Sequence, residues 1–533
     1  MNADLFFNNA GPCVPGDHYM LPPLSRLNED ELQDLIRQRR YFILHAPRQT
    51  GKTSTLLALM RDLNAKGDYI ALYSNIEPAQ SARNDVEMGI AAVCDSVVSA
   101  AKRHLADASL FQWLYHGEGR NIPANKRLES LLNHWASQSQ KPIVLMLDEI
   151  DALVGDTLVS VLRQIRAGYA DRPQHFPSTV ILCGVRDVRD YRIHTANHEI
   201  ITGGSAFNIK AESLRMGNFS RQECQTLWQL HTTHTGQEFE ESIYEKLWED
   251  TAGQPWLVNA LAYELTWRNK ALRDRTRIIG LEDYKTARET LIYRRDTHLD
   301  QLTDKLKEPR VRNVIAALLA GEDSELGLHD DDVQYVVDLG LVCRKPLRIS
   351  NKIYQESLPR ELTAGTQEGI SQEKAWYVQP DNRLDMAKLL AAFQQFYREH
   401  SDIWLKNHLY TEAAPQLLLQ AFLQRIVNGG GRINREYGLG RNRMDIFLEW
   451  PLDEALGFHG PVQRVVIELK ILRKALAPTI AEGLQQTYDY VQHVGADEAH
   501  LMIFNRKPNV VWSKKIFRQN KQVQGLHIGV WGL

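Results

Sequence analysis

The chain has 533 residues, 43% hydrophobic and 24% charged, a balance that excludes fibrous and low-complexity classes and suits a globular protein of three or four domains. Lys plus Arg total 63 against 66 Asp plus Glu, so global charge excludes a polycationic chain and is silent on nucleic acid. The five cysteines (Cys13, Cys94, Cys183, Cys224, Cys343) are scattered and form no Cys-x-x-Cys pair, so neither a zinc site nor a disulfide framework is indicated.

Met1 to Ala10 lacks a basic segment followed by an apolar one, so no secretory signal is read there. No apolar run reaches the roughly 18 residues of a membrane span. No membrane partner and a cytoplasmic location are expected.

The first chemistry-bearing element is Tyr41–His45, a short apolar strand. Ala46-Pro47-Arg48-Gln49-Thr50-Gly51-Lys52-Thr53 follows, then a helix-like run from Ser54 to Leu63. Strand, glycine-bearing loop and helix form an anion cradle, because loop and helix N-terminal N–H groups converge on phosphate oxygens. Gln49, Thr50, Gly51, Lys52, Thr53 and Ser54 are the expected cradle. Lys52 would reach the β- and γ-phosphates of ATP and the Thr53 hydroxyl would hold Mg²⁺. Ala46 stands where the pattern usually has its first glycine.

Ile143–Leu147 is a continuous apolar strand, as in the interior of a parallel sheet, and it ends in Asp148-Glu149-Ile150-Asp151. Acids at the carboxyl end of such a strand lie where open α/β sheets bind ligands. Asp148 is expected to hold Mg²⁺ through water and Glu149 to polarise the attacking water. A third strand, Thr179–Cys183, leads into Gly184-Val185-Arg186-Asp187. Arg186 there is either a γ-phosphate sensor or an ordinary ion-pair partner. Arg163, Arg166 and Arg172 follow the acids, and nothing selects one as a finger for a neighbouring subunit.

Residues 220–270 read as helical, with Ser220 and Glu223 spaced as a capping box. Gly253-Gln254-Pro255-Trp256-Leu257 follows. With this motif the chain resembles the AAA+ and STAND ATPases, especially the branch whose helical lid sets a Gly-x-Pro motif against adenine. The resemblance implies that Pro255 touches the base; Pro at the first turn of a helix is the compatible plain reading. Residues 308–350 read as three short helices and a β-wing (339–342 and 347–350), as a winged helix after the lid in that branch. Winged helices bind DNA or pack intramolecularly. With only Arg344, Lys345 and Arg348 on the wing, packing is favoured.

Thr363–Lys374 is a polar, Gly-containing linker, and Leu384–His400 has apolar residues at helical spacing. A helix is then expected from Glu412–Pro415 to Val427, stopped by Asn428-Gly429-Gly430-Gly431. Strand-like runs follow at 432–437, 443–450 and 463–470, a helix from about Thr479 to His493, and a last strand from Ala499 to Asn505. Asp445 falls on the second strand and Glu468-Leu469-Lys470 on the third. This αβββαβ order resembles the PD-(D/E)xK nuclease superfamily, and Gln486-x-x-x-Tyr490 resembles its RecB-like branch. Asp445 follows Arg443-Met444 where the pattern has Pro.

Breaking a phosphodiester calls for a metal that carries charge on the phosphoryl oxygen and acidifies a water. Asp445 and Glu468 are the hard oxygen donors Mg²⁺ prefers, with the Leu469 carbonyl as a third. Side chains alternate along a strand, so Lys470 shares the Glu468 face and can steady the developing charge. Glu412 would reach the metal shell through water. Gln486 and Tyr490, four apart, share a helix face from which they steer the strand or Lys470. Residues 431–533 hold 14 Lys or Arg against 10 acids, and Arg425–Arg443 holds five Arg and one acid. That suits a polyanion, though a solvated basic face is the plainer reading.

The expected architecture is therefore multidomain α/β. A P-loop AAA+ parallel-sheet core spans 1–210, a helical lid 211–300, a winged helix 301–360, and a linker with a connecting helix 361–405. A restriction-endonuclease-like domain spans 406–533. The expected function is an ATPase whose nucleotide state controls an Mg²⁺-dependent nuclease, with nucleic acid, DNA foremost, as partner and self-association implied by the AAA+ resemblance. Such pairings resemble defence or mobile-element modules. The alternatives are a STAND-type switch whose nuclease fold only binds, and a DNA motor with an incidental nuclease fold.

Overall fold

A computed structural model of the protein describes residues 5–187, 192–194, 200–202, 207–294, 297–320, 328–362, 377–405, 418–419, 422–423, 431–436, 445–453, 456–473, 475–505, 507 and 509–533. The chain divides into two compact units. The first holds residues 1–239, 252–278 and 338–340; the second holds 240–251, 279–337 and 341–533.

The first unit is built on a five-stranded sheet. Its spatial order is Ile70–Asn75, Ile143–Asp148, Thr179–Gly184, Tyr41–His45, Lys210–Arg215. Every neighbouring pair is parallel. Its central strands are apolar without alternation because both faces are covered. Tyr41, Ile43, Leu145 and Leu147 pack towards the helices Val86–Leu105, Ala124–Gln138 and Gly155–Ala167. Phe42, Leu44, Val144 and Met146 pack towards Glu29–Arg37 and Lys52–Lys66. The strand before the phosphate loop is thus central, and its loop opens at the carboxyl edge of the sheet.

The lid helix Arg221–Thr235 starts with the complete Ser220–Glu223 capping box. Pro255–Tyr263 starts with Pro in its first turn and the Gln254 side chain accepting from Leu257 N–H at 2.7 Å.

In the second unit, the helices Thr297–Lys305, Pro309–Ala320 and Asp330–Asp338 (whose last residue, Asp338, belongs to the first unit) precede a hairpin, Val342–Arg344 with Leu347–Ile349, and the helix Lys352–Leu362 closes the set. The hairpin is shorter and later than the sequence suggests, because Leu341 N–H bonds back to the Val336 carbonyl and so ends the preceding helix. Arg288, buried on Leu281–Arg294, reaches Asp250 at 3.2 Å, Glu289 at 2.8 Å and the two oxygens of Glu356. Those carboxylates keep it charged despite burial.

The remainder of that unit is a six-stranded mixed sheet. Its order is Arg432–Glu436, Asp445–Pro451, Val462–Ile471, Glu498–Phe504, Leu526–Gly532, Phe517–Val523. The first three strands are antiparallel, the next two join in parallel, and the last is antiparallel. Helix Met386–Leu405 contributes Leu389, Leu390 and Phe393 to one face of the sheet. Helix Leu476–Val494 covers the other, against Val466, Leu501 and Ile503. The strands Phe517–Val523 and Leu526–Gly532 are not anticipated from sequence. The first is polar along its length and exposed, as an edge strand is, so it carries no apolar alternation to read. Most of the helix expected from Glu412 to Val427 lies outside the described residues, of which Leu418, Leu419, Phe422 and Leu423 are buried.

Candidate functional sites

The phosphate loop turns on two left-handed residues, Gln49 (φ 57°) and Gly51 (φ 94°). Gly51 is the N-cap of Lys52–Lys66, so the first N–H groups of that helix point into the loop's hollow. Lys52 is buried, and its ammonium donates to the carbonyls of Ala46 and Pro47, each at 3.0 Å. Thr53 Oγ1 donates to Asp148 Oδ2 at 2.7 Å, and Tyr73 OH donates to the same oxygen at 3.1 Å. The loop threonine and the strand-end aspartate are therefore in direct contact. Both are hard oxygen donors, and their 2.7 Å approach on a helix N-terminus fits an Mg²⁺–phosphate ligand.

Glu149 adopts φ 63°, and its N–H is fixed by Asp148 Oδ1 at 3.0 Å. Burial first, then the neighbouring Asp148 charge, raises its pKa above the ordinary carboxylate range. Asp151 accepts from Val185 N–H, tying the acidic turn to the loop that carries Arg186. Gly184 permits that approach: a Cβ there would lie 2.4 Å from Asp151 Oδ2. Arg186 has Nε 3.6 Å from Asp338 Oδ2, itself nearly buried. Of the finger candidates, Arg172 stacks on Tyr169 at 3.5 Å and donates to the Tyr169 carbonyl at 2.7 Å, which commits it to local structure.

A cavity opens beside the loop, lined by Gln49, Thr50, Gly51 and Ser54, by Pro255, Trp256 and Asn259 of the lid, and by the N-terminal segment Asn8–Cys13. Trp256 Nε1 donates to the Asn9 carbonyl at 2.8 Å, and Cys13 N–H donates to Ser54 Oγ at 3.0 Å. Pro255 thus lies in the wall of a pocket continuous with the phosphate loop.

In the C-terminal sheet, Glu468 is 1% exposed, and Lys470 Nζ lies 3.0 Å from its Oε1. Both share strand parity with Val466, so they face helix Leu476–Val494. That helix seats closely because it has Gly483, where a Cβ would lie 2.7 Å from Leu501 Cδ1. It carries Gln486, whose Nε2 donates to Glu482 Oε1 at 3.3 Å, and Tyr490, which packs against the sheet on that face. The Gln486 Oε1 atom is buried without a hydrogen-bond partner among the described residues. Leu469 is buried on the opposite face. Asp445 opens the adjacent strand; its successor Ile446 pairs with Ile467, the residue before Glu468. The two backbones are neighbours at that end of the sheet. The Asp445 side chain and all of Glu412 lie outside the described residues. Among the described residues no group of three His, Cys, Asp or Glu side chains gathers to hold a metal.

A sequence family described as an AAA-like domain matches residues 23–356, well over half of the chain. The chain belongs to the AAA-like domain family. The AAA-like region carries a P-loop ATPase core. Among solved structures, the chain is similar to the Walker-type ATPase PABY2304 of Pyrococcus abyssi, at 13% identity with a TM-score of 0.47, over 66% of this chain and 99% of that one. It is similar to Cdc6p of Pyrobaculum aerophilum, at 16% identity and a TM-score of 0.35, over 64% and 94%. The third is the RuvB Holliday junction branch migration motor of Thermotoga maritima, at 12% and 0.33, over 63% and 97%. No curated protein matches in sequence. Among the described residues no helix is long and apolar enough to cross a membrane.

Sequence reasoning missed several residues around the AAA-like pocket. Arg26 donates to the Thr50 carbonyl on the loop and to the Gly217 carbonyl, with its guanidinium 4.6 Å from the centre of the Phe219 ring. Tyr73, Asn9 and Trp256 were missed too. Arg26 and Tyr73 stand far along the chain from the motif, and no spacing rule connects them to it. Trp256 adjoins Pro255, so that lid motif was the one signal available.

Proposed function

We propose that the chain is an ATPase whose nucleotide state controls a divalent-metal-dependent nuclease in its C-terminal sheet. The observation that carries the second half is Glu468. It is a carboxylate buried near the end of a central strand, ion-paired to Lys470 two residues on, and Asp445 stands one residue beyond the Ile446–Ile467 pair on the adjacent strand. A buried charge needs a reason; Glu468 and Lys470 on the sheet face covered by the helix that carries Gln486 and Tyr490 support phosphodiester chemistry as that reason.

In the ATPase half, the Thr53 hydroxyl and Asp148 would hold Mg²⁺. Gln49, Thr50, Gly51 and Ser54 would cradle phosphates with Lys52, and Pro255 would lie against the base. When bound, the metal supplies positive charge at the β- and γ-phosphate oxygens. Lys52 must exchange its two loop carbonyls for phosphate oxygens, and Glu149 orients the attacking water and accepts its proton. Arg186 would sense the γ-phosphate by leaving Asp338.

In the nuclease half, Glu468, Asp445 and the Leu469 carbonyl would hold the ion, with Glu412 in its outer shell. When bound, that ion supplies charge at the scissile phosphate. Lys470 turns from Glu468 to the phosphate, and Gln486 and Tyr490 position the strand. The substrate is nucleic acid, with DNA preferred as the reading, and assembly into a homo-oligomer would complete the ATPase site.

Incubating the full chain with plasmid DNA and Mg²⁺, with and without ATP, tests this. Cleavage that Glu468→Ala removes and Lys52→Ala alters in nucleotide dependence is the expected result. Cleavage indifferent to Glu468→Ala refutes the site. A STAND-type switch that binds without cutting is favoured by one observation, the buried Glu468–Lys470 ion pair. It predicts binding with no Mg²⁺-dependent product at any nucleotide state.

A further inference from the structure

The cavity beside the phosphate loop has two kinds of lining. Gln49, Thr50, Gly51 and Ser54 bring the polar groups of the loop. Met20, Leu21, Phe219, Leu227 and Pro255 are apolar, the lining that a flat heterocyclic ring requires.

The polar groups among these apolar side chains are mostly committed to one another. Asn8 uses both ends of its amide: Oδ1 accepts from Ala10 N–H at 3.1 Å and Nδ2 donates to the Gly11 carbonyl at 3.0 Å. Trp256 Nε1 is taken by the Asn9 carbonyl. Asn259 differs. It lines the cavity, is 8% exposed, and its Nδ2 donates to the Pro255 carbonyl at 2.8 Å. A carbonyl can only accept, so this bond fixes the amide with nitrogen on Pro255 and oxygen turned away from it. That oxygen is buried and has no hydrogen-bond partner among the described residues. A buried acceptor left in this state calls for a donor. Gln49 Oε1 is in the same state, but it belongs to the phosphate loop.

Phosphate oxygens are acceptors and cannot satisfy Asn259 Oδ1. The sugar hydroxyls and an amine on the base can. Pro255 and Asn259 are four residues apart on the helix Pro255–Tyr263, so they share a face. The unpaired oxygen therefore belongs to the same wall as the proline set against the base. Its apolar neighbours suit a ring better than a sugar with several hydroxyls to satisfy.

We propose that Asn259 Oδ1 accepts a hydrogen bond from the 6-amino group of adenine, so that the site selects ATP over 6-oxopurine triphosphates. The proposal rests on the reading of this cavity as an ATP site and adds the residue that reads the base. Adenine carries an amine at C6, whereas guanine and hypoxanthine carry an oxygen there. That oxygen would set acceptor against acceptor. Nδ2 could turn to meet it only by leaving the Pro255 carbonyl.

Displacement of a fluorescent, ribose-labelled ATP from the full chain in Mg²⁺ tests this with four competitors: ATP, 2,6-diaminopurine riboside triphosphate, purine riboside triphosphate and ITP. The first two keep the 6-amine and should bind within about threefold of each other, while ITP should bind at least ~10-fold more weakly and the unsubstituted purine between them. Asn259→Leu should weaken ATP about tenfold and leave ITP within about twofold, bringing their ratio close to one. A merely structural loss would weaken both alike. The competitor series uses the unaltered chain, so it decides the matter even if Asn259→Leu does not fold.

Equal affinity for ATP and ITP overturns the proposal, as does a preference for ATP that survives Asn259→Leu. Purine riboside triphosphate binding as tightly as ATP overturns it too, because the 6-amine then contributes nothing. Failure of all four to displace the label, with no binding of the label itself, overturns the ATP-site reading and this proposal together. Adenine-selective binding without phosphate release keeps the role of Asn259 and removes the ATPase reading. Hydrolysis of ATP with no preference over ITP removes the role of Asn259 alone.

Discussion

Thr53 Oγ1 lies 2.7 Å from Asp148 Oδ2, so the hydroxyl at the start of the phosphate-loop helix and the carboxylate at the end of the strand Ile143–Asp148 are already joined. The contact links two segments 95 residues apart and sets the spacing at which a divalent ion would meet both. A hydrogen bond to a charged group is worth about 1.5–3 kcal/mol, enough to hold the two elements in register. Tyr73 shares the same carboxylate oxygen and limits how Asp148 turns.

Lys52→Ala should lower ATPase kcat/KM by at least ~100-fold, the scale of removing one charged stabiliser from a phosphoryl-transfer site. Ala46 is fully buried, so its carbonyl loses a buried donor in this variant, at about 1–3 kcal/mol, and melting temperature should fall by a few degrees. Steady-state phosphate release alongside a thermal melt checks both.

The raised pKa of Glu149 has a direct kinetic consequence. A base must be deprotonated to accept a proton, so ATPase rate should rise with pH through the Glu149 pKa. That limb should lie above the pH at which an ordinary glutamate titrates. For stability the sign is opposite: a carboxyl raised in the folded state contributes most below its unfolded pKa, and the contribution is lost as pH rises through the folded one. Glu149→Gln should flatten the acid limb of the rate profile, leaving a low, pH-independent rate. A limb that persists unchanged in that variant assigns the titration to another group.

Gly184→Ala should destabilise the first unit, since its methyl would fall 2.4 Å from Asp151 Oδ2. Overpacking of this kind costs about 1–3 kcal/mol, or roughly 2–10 °C in melting temperature. Pairing it with Asp151→Ala removes the nearer of two clashes and leaves Ile150 Cγ2 at 2.8 Å. The double variant should melt higher than the sum of the two single effects, as a thermal double-mutant cycle would show.

Arg26→Gln should raise the KM for ATP about tenfold with kcat within about twofold. Arg26 holds the Thr50 carbonyl outward, which turns the Gly51 N–H of the same trans peptide towards the phosphate hollow. Burial lowers its pKa to about 10, so it remains charged at neutral pH. Arg26→Lys should recover part of the KM, as a merely apolar packing role would not. Initial rates over an ATP titration separate the two parameters.

Glu468→Gln should abolish Mg²⁺-dependent cleavage. Loss of an outer-shell partner costs about 10–100-fold, and a direct donor costs more. Tyr490→Phe should reduce cleavage about tenfold without changing duplex affinity in EDTA, since it removes one hydroxyl and no charge. Gel assays on supercoiled plasmid resolve these ranges.

Local pattern was enough to read the elements that bracket both candidate sites. Tyr41–His45 and Ile143–Asp148 announce themselves as interior strands because both faces are buried, and Ser220–Glu223 as a cap because its bonds are three residues apart. Val462–Ile471 and Leu476–Val494 follow from their apolar runs and helical spacing, and Glu468 and Lys470 share a face because strands have a period of two. The edge strand Phe517–Val523 could not be read, because its exposed polar side chains satisfy no local pattern and only pairing to Leu526–Gly532 makes it a strand. Tertiary packing alone decided that Arg26 reaches Thr50, that Trp256 reaches Asn9, and that Arg186 lies beside Asp338. Those contacts join residues 24, 247 and 152 positions apart. Sequence periodicity records what a residue does within its own element, whereas such partners are chosen only when separate elements dock.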